Sequence, residues 1–310
     1  MSKGLLVTGA TGKQGGATID ALLTAPGGSA YTILAVTRSA ATSPSAQRLT
    51  SKASNVKIVQ GDMDDVPAIF YAAKAVHPSG VWGVLSIQAP VGKGQTVEKE
   101  EIQGKTLVDE ALKSGVKQFV YSSVDRGGDQ KSASTATPVP HFASKYNIEQ
   151  HLIKQANGSG MDYTILRPVG FMENLTPDFM GKMFGAMWIA SLPKDRKLQL
   201  VSTTDVGHFA AQAFLRPEQY KNRALSLAGD DLTFAETSKI FKEKTGSPAP
   251  HTYSFLGRAL MWAVGELGIM FTWFKTDGYG ADIPALKKEY PGLKNLGEWL
   301  EQNSAFSKKD

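Results

Sequence analysis

The chain carries three glycines in the run Gly9-Ala10-Thr11-Gly12-Lys13-Gln14-Gly15, directly after the apolar segment Leu5 to Thr8 and directly before the helical pattern Gly16 to Leu23. Glycine permits a tight turn and close backbone approach, and a helix that begins there offers unpaired N–H groups and the positive end of its dipole. That combination suits a pyrophosphate. The spacing is GxxGxxG rather than GxGxxG, and a glycine triplet alone is often a plain turn; the strand before it and the helix after it carry the assignment. The second chemical residue is Arg38, at the end of the apolar run Tyr31 to Val36. An acidic residue about 20 positions past such a loop holds an adenosine ribose hydroxyl, whereas arginine there suits a 2′-phosphate. The alternative is a solvated surface arginine.

Further candidates stand where later apolar runs end. Asp62, next to Met63, is placed beside an adenine, with its carboxylate accepting from the base amino group; a turn aspartate is the other reading. Ser86 and Gln88, in the run Ser86-Ile87-Gln88-Ala89-Pro90, are expected under a nicotinamide ribose, and Lys93 reaches phosphate or ribose or else is solvated.

The elements that must position these residues alternate. Short runs at Leu5 to Val7, Tyr31 to Val36, Val56 to Val59, Val81 to Ile87, Phe119 to Ser122 and Tyr163 to Leu166 are separated by helical patterns, and Ala224 to Ala228 adds a seventh. This reads as an α/β fold, a Rossmann doubly wound parallel sheet with a smaller, mainly helical C-terminal substrate lobe. The expected division is 1–168 with 200–228 for the sheet domain and 169–199 with 229–310 for the lobe. The polar stretch Gly127 to Pro140 reads as a mobile loop, and Ala259 to Phe274, apolar except for Glu266, as buried helix.

Composition closes several routes. Among 310 residues there is no cysteine, which excludes disulfides, thiolate metal sites and cysteine nucleophiles. No metal is expected, because His77, His141, His151, His208 and His251 form no close pair. The 34 basic and 29 acidic residues are scattered, so neither nucleic acid nor a membrane is an expected partner. The apolar run Gly4 to Val7 is too short for a signal-peptide core, which gives a cytoplasmic protein as the expectation.

The chain resembles the NmrA-like atypical short-chain dehydrogenase/reductases along essentially its whole length, and fungal members and the human redox sensor more than plant isoflavone reductases. The markers are Gly9 to Gly15, Arg38, Tyr121-Ser122-Ser123, His141-Phe142-Ala143-Ser144-Lys145, Leu166 to Asn174, Leu227 to Thr233 and Trp299-Leu300-Glu301-Gln302. The resemblance implies NADP(H) bound between strand ends and the small lobe. Its members include reductases and NADP-responsive regulators that bind other proteins.

Short-chain reductases carry Tyr-x-x-x-Lys, the tyrosine protonating substrate and the lysine holding ribose; here the pair is His141-x-x-x-Lys145. The resemblance makes Lys145 a ribose clamp, or else a surface lysine paired with Glu149 four residues on. His141 is a proton donor with an ordinary pKa near 6.5 rather than about 10, or a packed histidine. Ser122 and Ser123 either position ligand and substrate or satisfy the strand end. Pro168, Gly170 and Phe171 are expected near the nicotinamide carboxamide, with Phe171 or Met172 over a ring face and Asn174 hydrogen-bonding nearby; plain packing is the alternative. The cofactor set is thus Gly9, Thr11, Gly12, Lys13, Gln14, Gly15, Arg38, Asp62, Met63, Ser86, Gln88, Ser122, Lys145, Pro168, Gly170, Phe171 and Asn174, and the catalytic set Lys145, His141 and Ser123.

The lobe is rich in aromatic residues and methionine, among them Phe179, Met180, Met187, Trp188, Trp262 and Phe271, which form core or a pocket for a small apolar organic substrate. The expected function is NADPH-dependent hydride transfer to a bulky apolar substrate of secondary metabolism, including an unsaturated or iminium intermediate that cyclises on reduction. The other class is an NADP(H)-sensing regulator that binds a protein partner without turnover.

Overall fold

The computed structural model describes residues 2–39, 41–88 and 94–306. In chain order the strands are β1 (Lys3–Val7), β2 (Tyr31–Thr37), β3 (Val56–Gln60), β4 (Val81–Ser86), β5 (Gln118–Ser122), β6 (Asp162–Pro168), β7 (Gly170–Phe171), β8 (Leu198–Val201), β9 (Arg223–Leu227) and β10 (Asp230–Leu232). The helices that carry the argument are α1 (Lys13–Thr24), α2 (Pro44–Thr50), α3 (Val66–Val76), α4 (Val97–Lys113), α5 (Asp129–Ser134), α6 (Pro140–Ala156), α7 (Phe179–Ser191) and α8 (Thr203–Leu215). They are followed by α9 (Pro217–Tyr220), α10 (Phe234–Thr245), α11 (Ser254–Ala263), α12 (Gly265–Thr276), α13 (Ile283–Glu289) and α14 (Leu296–Gln302).

Two compact units result, each assembled from separate stretches: 1–123 with 144–166 and 206–225, and 124–143 with 167–205 and 226–310. Against the sequence expectation the principal difference is 124–143, which packs with the second unit. The seven-stranded sheet runs β3-β2-β1-β4-β5-β6-β9, the doubly wound order, and the pairings from β3 through β6 are parallel. Its strands are nearly continuous apolar runs because helices cover both faces. Leu5, Leu6, Ile33, Leu34, Val84, Phe119 and Val120 are fully buried. At the end of β1 the Thr8 hydroxyl donates to Leu85 and Ile87 carbonyls, and the Ile87 N–H donates back to it at 2.7 Å. This fixes the glycine loop against the end of β4.

The second unit adds a three-stranded sheet, β10-β8-β7, that the sequence did not announce because its strands span two to four residues. Its core gathers Trp188, Phe241, Phe271, Trp273, Phe274 and Trp299. Two expectations are corrected here. The stretch 127–140 is not a plain loop: it contains α5, and it is held by the fully buried Asp125 and Arg126. The Asp125 carboxylate accepts from the N–H groups of Gly127, Gly128 and Gly280, while the Arg126 guanidinium donates to the Val124, Ser132 and Thr135 carbonyls. The stretch 259–274 is not one buried helix but α11 and α12, bent by 117° at Val264. Only its second half is core, since Trp262 is 88% exposed whereas Phe271 is 1% exposed. Among the described residues no single helix is long and apolar enough to cross a membrane.

Asp205, near the start of α8, accepts from the Lys294 backbone N–H at 3.0 Å and lies 3.3 Å from its Nζ. Burial pushes its carboxyl up to about 6, more than Lys294 pulls it down. The folded state therefore binds a proton more tightly than the unfolded chain, so this contribution is complete below pH 4 and is lost as pH rises through 6. Relative to Asp205→Asn, wild-type stability from urea unfolding should fall by about 2–3 kcal/mol between pH 4 and 7.

Candidate functional site

The first unit brings the carboxyl ends of β1 to β5 to one edge, where ligands of open parallel sheets bind. Gly9 has φ +62°, and a Cβ at Gly15 would lie 2.3 Å from the Gly9 carbonyl oxygen, so the turn itself demands both glycines. Gly12 is different. Its backbone is extended, a Cβ would meet only the Gly9 oxygen at 3.2 Å, and it caps α1 without any side-chain hydrogen bond. A Cβ there would need a shift of a few tenths of an ångström, a milder clash than at Gly15, and would occupy the exposed start of α1. Thr11, Gly12 and Lys13 are exposed there. Gln14 turns inward, and its Oε1 accepts from the Ser122 hydroxyl at 2.6 Å.

Arg38 is exposed at the end of β2 and makes no hydrogen bond or ion pair with another described residue; its charge helps hold the Asp64 carboxyl down, after Lys99 and Gln103. Asp62 Oδ1 accepts from the Asp64 N–H, the turn role that competed with adenine recognition, although the residue remains exposed. Met63 is half-buried against the core. Ser86 is fully buried and accepts from Gln88 Nε2 at 2.8 Å, and the buried Gln88 Oε1 has no hydrogen-bond partner among the described residues. An orphaned buried acceptor is costly unless a ligand donates to it, and a ribose hydroxyl would. Ala89, Pro90 and Lys93 lie outside the described residues.

Lys145 is neither at the surface nor paired with Glu149. Its Nζ lies 2.7 Å from Oε1 of Glu100 on α4, and Ser144 donates to Oε2 of the same carboxylate at 2.6 Å; Glu100 is 0% exposed. Glu149 instead accepts from the Ser123 hydroxyl, which is thereby engaged. The two helices come this close because α4 carries Gly104, where a Cβ would stand 2.5 Å from the Ile148 side chain. Glu100 was missed because it sits in the charged run Glu98-Lys99-Glu100-Glu101, which reads as a solvated face.

In the second unit His141 follows Pro140 in the first turn of α6, and its Nδ1 lies 2.5 Å from Glu266 Oε1, which also accepts the His141 backbone N–H at 3.2 Å. Pro168 is buried, and Gly170 and Phe171 are half-buried in β7, which pairs with β8. Met172 is fully buried in the core, and Asn174 is exposed. Between them stands Glu173, another residue that sequence reasoning missed. It accepts from the Thr203 N–H and hydroxyl and from Trp299 Nε1 at 3.1 Å, and so bolts this strand end to α8 and α14.

Two contrasts follow. Gly15→Ala should fail to fold stably, while Gly12→Ala should cost no more than about 1–2 kcal/mol, in the range of a cap change, and lose dinucleotide binding; thermal melts and fluorescence titration read the two. Glu100→Ala, which strands a buried ammonium, should cost about 3–5 kcal/mol in urea unfolding, and Glu100→Leu with Lys145→Met should recover most of that. The double variant should still bind nucleotide poorly.

A family model described as the NmrA-like family matches residues 1–300. The NmrA-like family domain-containing oxidoreductase FrzB of Cladobotryum sp is 27% identical over 265 residues, covering 78% of this chain and 73% of the relative. Among solved structures, the Citrobacter sp. triphenylmethane reductase complexed with NADP(H) superposes with a TM-score of 0.71 at 20% identity, over 96% of this chain and 99% of that one. NmrA, a negative transcriptional regulator, superposes with a TM-score of 0.68 at 16% identity, over 98% and 96%. A reductase and a regulator thus share the fold, and at these identities the likeness shows the fold alone. The match over nearly the whole length places the chain in the NmrA-like family.

Proposed function

We propose that this protein is an NADPH-dependent reductase of a bulky apolar organic substrate. The observation that carries the reading is the buried Lys145–Glu100 pair. An ion pair at that depth contributes little net stability over an apolar pair, so its retention at the reductase lysine position favours a positional role. The oxidoreductase name of the FrzB relative and the NADP(H) held by the triphenylmethane reductase agree with it.

In this reading Gly12 and the start of α1 take the pyrophosphate, Arg38 the 2′-phosphate, Asp62 the adenine edge, and Gln88 Oε1 and Lys145 the nicotinamide ribose. Bound NADPH supplies a hydride. Glu100 keeps one Lys145 donor direction occupied, and the ammonium has others for the ribose. The substrate class in this reading is an apolar organic molecule such as a polycyclic or prenylated metabolite, which a hydride acceptor site lined by apolar groups would favour.

Calorimetry should show a preference for NADPH over NADH, and Arg38→Ala should reduce that preference about ten- to a hundredfold, the worth of a charge-assisted phosphate contact. Equal affinity of the wild type for both would remove Arg38 from the site. Stopped-flow NADPH oxidation against apolar enones, quinones and iminium compounds tests turnover. Tight NADPH binding with no oxidation by any of them, together with NADPH-dependent capture of a protein partner, would favour the regulator instead.

A further inference from the structure

Helix α11 presents a face that the packing of the second unit does not use. Along its ten residues Phe255, Arg258, Ala259, Trp262 and Ala263 are exposed, while Leu256, Gly257, Leu260 and Met261 are buried or half-buried. Spacings of three and four put the exposed set on one side of the helix. Gly257 seats the opposite side directly on α7, since a Cβ there would stand 2.7 Å from the Ala186 carbonyl carbon. The outward side is aromatic: Trp262 is 88% exposed, Phe255 is 60% exposed, and Tyr253, just before the helix and 73% exposed, stacks on Phe255 with ring centroids 5.8 Å apart. Single exposed apolar side chains need no explanation, but large rings gathered on one helix face do.

The charges on these two packed helices are of one sign. Lys182 is the only charged residue of α7 and Arg258 the only one of α11, and both are exposed. The acidic residues closest to them in sequence are engaged elsewhere: Asp178 accepts from the Gly181 N–H and the Thr176 hydroxyl, and Glu266 meets the His141 N–H and Nδ1.

We propose that the outward face of α11 binds the surface of an anionic phospholipid bilayer, with the helix in the membrane plane, Phe255 and Trp262 at the boundary of headgroups and acyl chains, and Arg258 and Lys182 supplying the positive charge. Rings with an apolar body and a polar edge collect at that boundary, and an interfacial helix binds by buried apolar area together with attraction to anionic lipid. Size and shape exclude spanning. Ten residues make about 15 Å of helix against ~30 Å of hydrocarbon, and the chain turns by 117° into α12, whose Phe271, Trp273 and Phe274 are core. A second copy of the chain is a poorer occupant, because a two-fold contact would bring the same cations together with no acid on either helix to pair them. The charge balance of the whole chain, which made a membrane an unexpected partner, averages over this local imbalance. Such binding needs neither cofactor nor turnover, so it stands or falls apart from the reductase reading.

The full chain should co-sediment with vesicles of mixed phosphatidylserine and phosphatidylcholine, and far less with vesicles of phosphatidylcholine alone. Phe255→Ser combined with Trp262→Ser leaves the net charge unchanged and should weaken binding at least about tenfold. Arg258→Ala should weaken it about fivefold on the anionic vesicles only. All three side chains are exposed, so thermal melts of these variants should match wild type. Brominated phosphatidylcholine in the vesicles should quench tryptophan emission in wild type and much less in Trp262→Phe. No binding to the anionic vesicles would overturn the proposal. Undiminished binding by the double serine variant would overturn it as well, since general positive charge would then account for the attraction. Equal binding to neutral vesicles would overturn the anionic choice, and a dimer in sedimentation equilibrium that Trp262→Ser dissociates would give the face to a second copy.

Discussion

Ion pairs taken out of water must be completed by geometry, and in the first unit that requirement is set by Glu100. It has no exposed surface, so its two oxygens need donors, and α6 supplies both from adjacent residues, Ser144 and Lys145. For those donors to reach, α4 and α6 must nearly touch, which the absence of a side chain at Gly104 permits. The position of Lys145 is therefore a property of helix packing. A lysine on a free helix face samples many rotamers, but one held at 2.7 Å by a buried carboxylate presents its remaining donors in one place.

The glycine loop shows the same division of labour between chain and ligand. Gly9 and Gly15 are dictated by the turn, and Thr8 ties that turn to the neighbouring strand end. Gly12 is constrained only mildly, by the Gly9 carbonyl oxygen. An exposed glycine at the start of α1 and an orphaned amide oxygen at Gln88 are what the strand ends of this unit leave for a guest.

Much of this was legible in the sequence, for a local reason. Strands, the loop and the strand-end arginine are encoded by neighbours within a dozen residues, so period and spacing suffice. The residues that stayed hidden are glutamates: Glu100, Glu149, Glu173 and Glu266. Each gives its carboxylate to a partner 26 to 126 positions away, and nothing local marks a buried acid off from a solvated one. Lys145 shows the hazard, since its helical neighbour Glu149 was the natural partner by spacing and is taken by Ser123 instead. Glu266 alone left a trace, as a charge inside an apolar run. The bend at Val264 was also illegible, because both halves of that run have helical composition.

The chain passes between its two units at 123/124, 143/144, 166/167, 205/206 and 225/226. Neither unit is a contiguous piece of polypeptide. On a ribosome the sheet domain is still incomplete when its first five strands have emerged, because the last segments of that unit follow two stretches that belong to the other. The edge of β6 stays unpaired until β9 is made, a template for wrong pairing during that interval. Truncation therefore cannot yield either half as a folding module, and the apolar core of the first unit becomes whole only after residue 225 has left the exit tunnel.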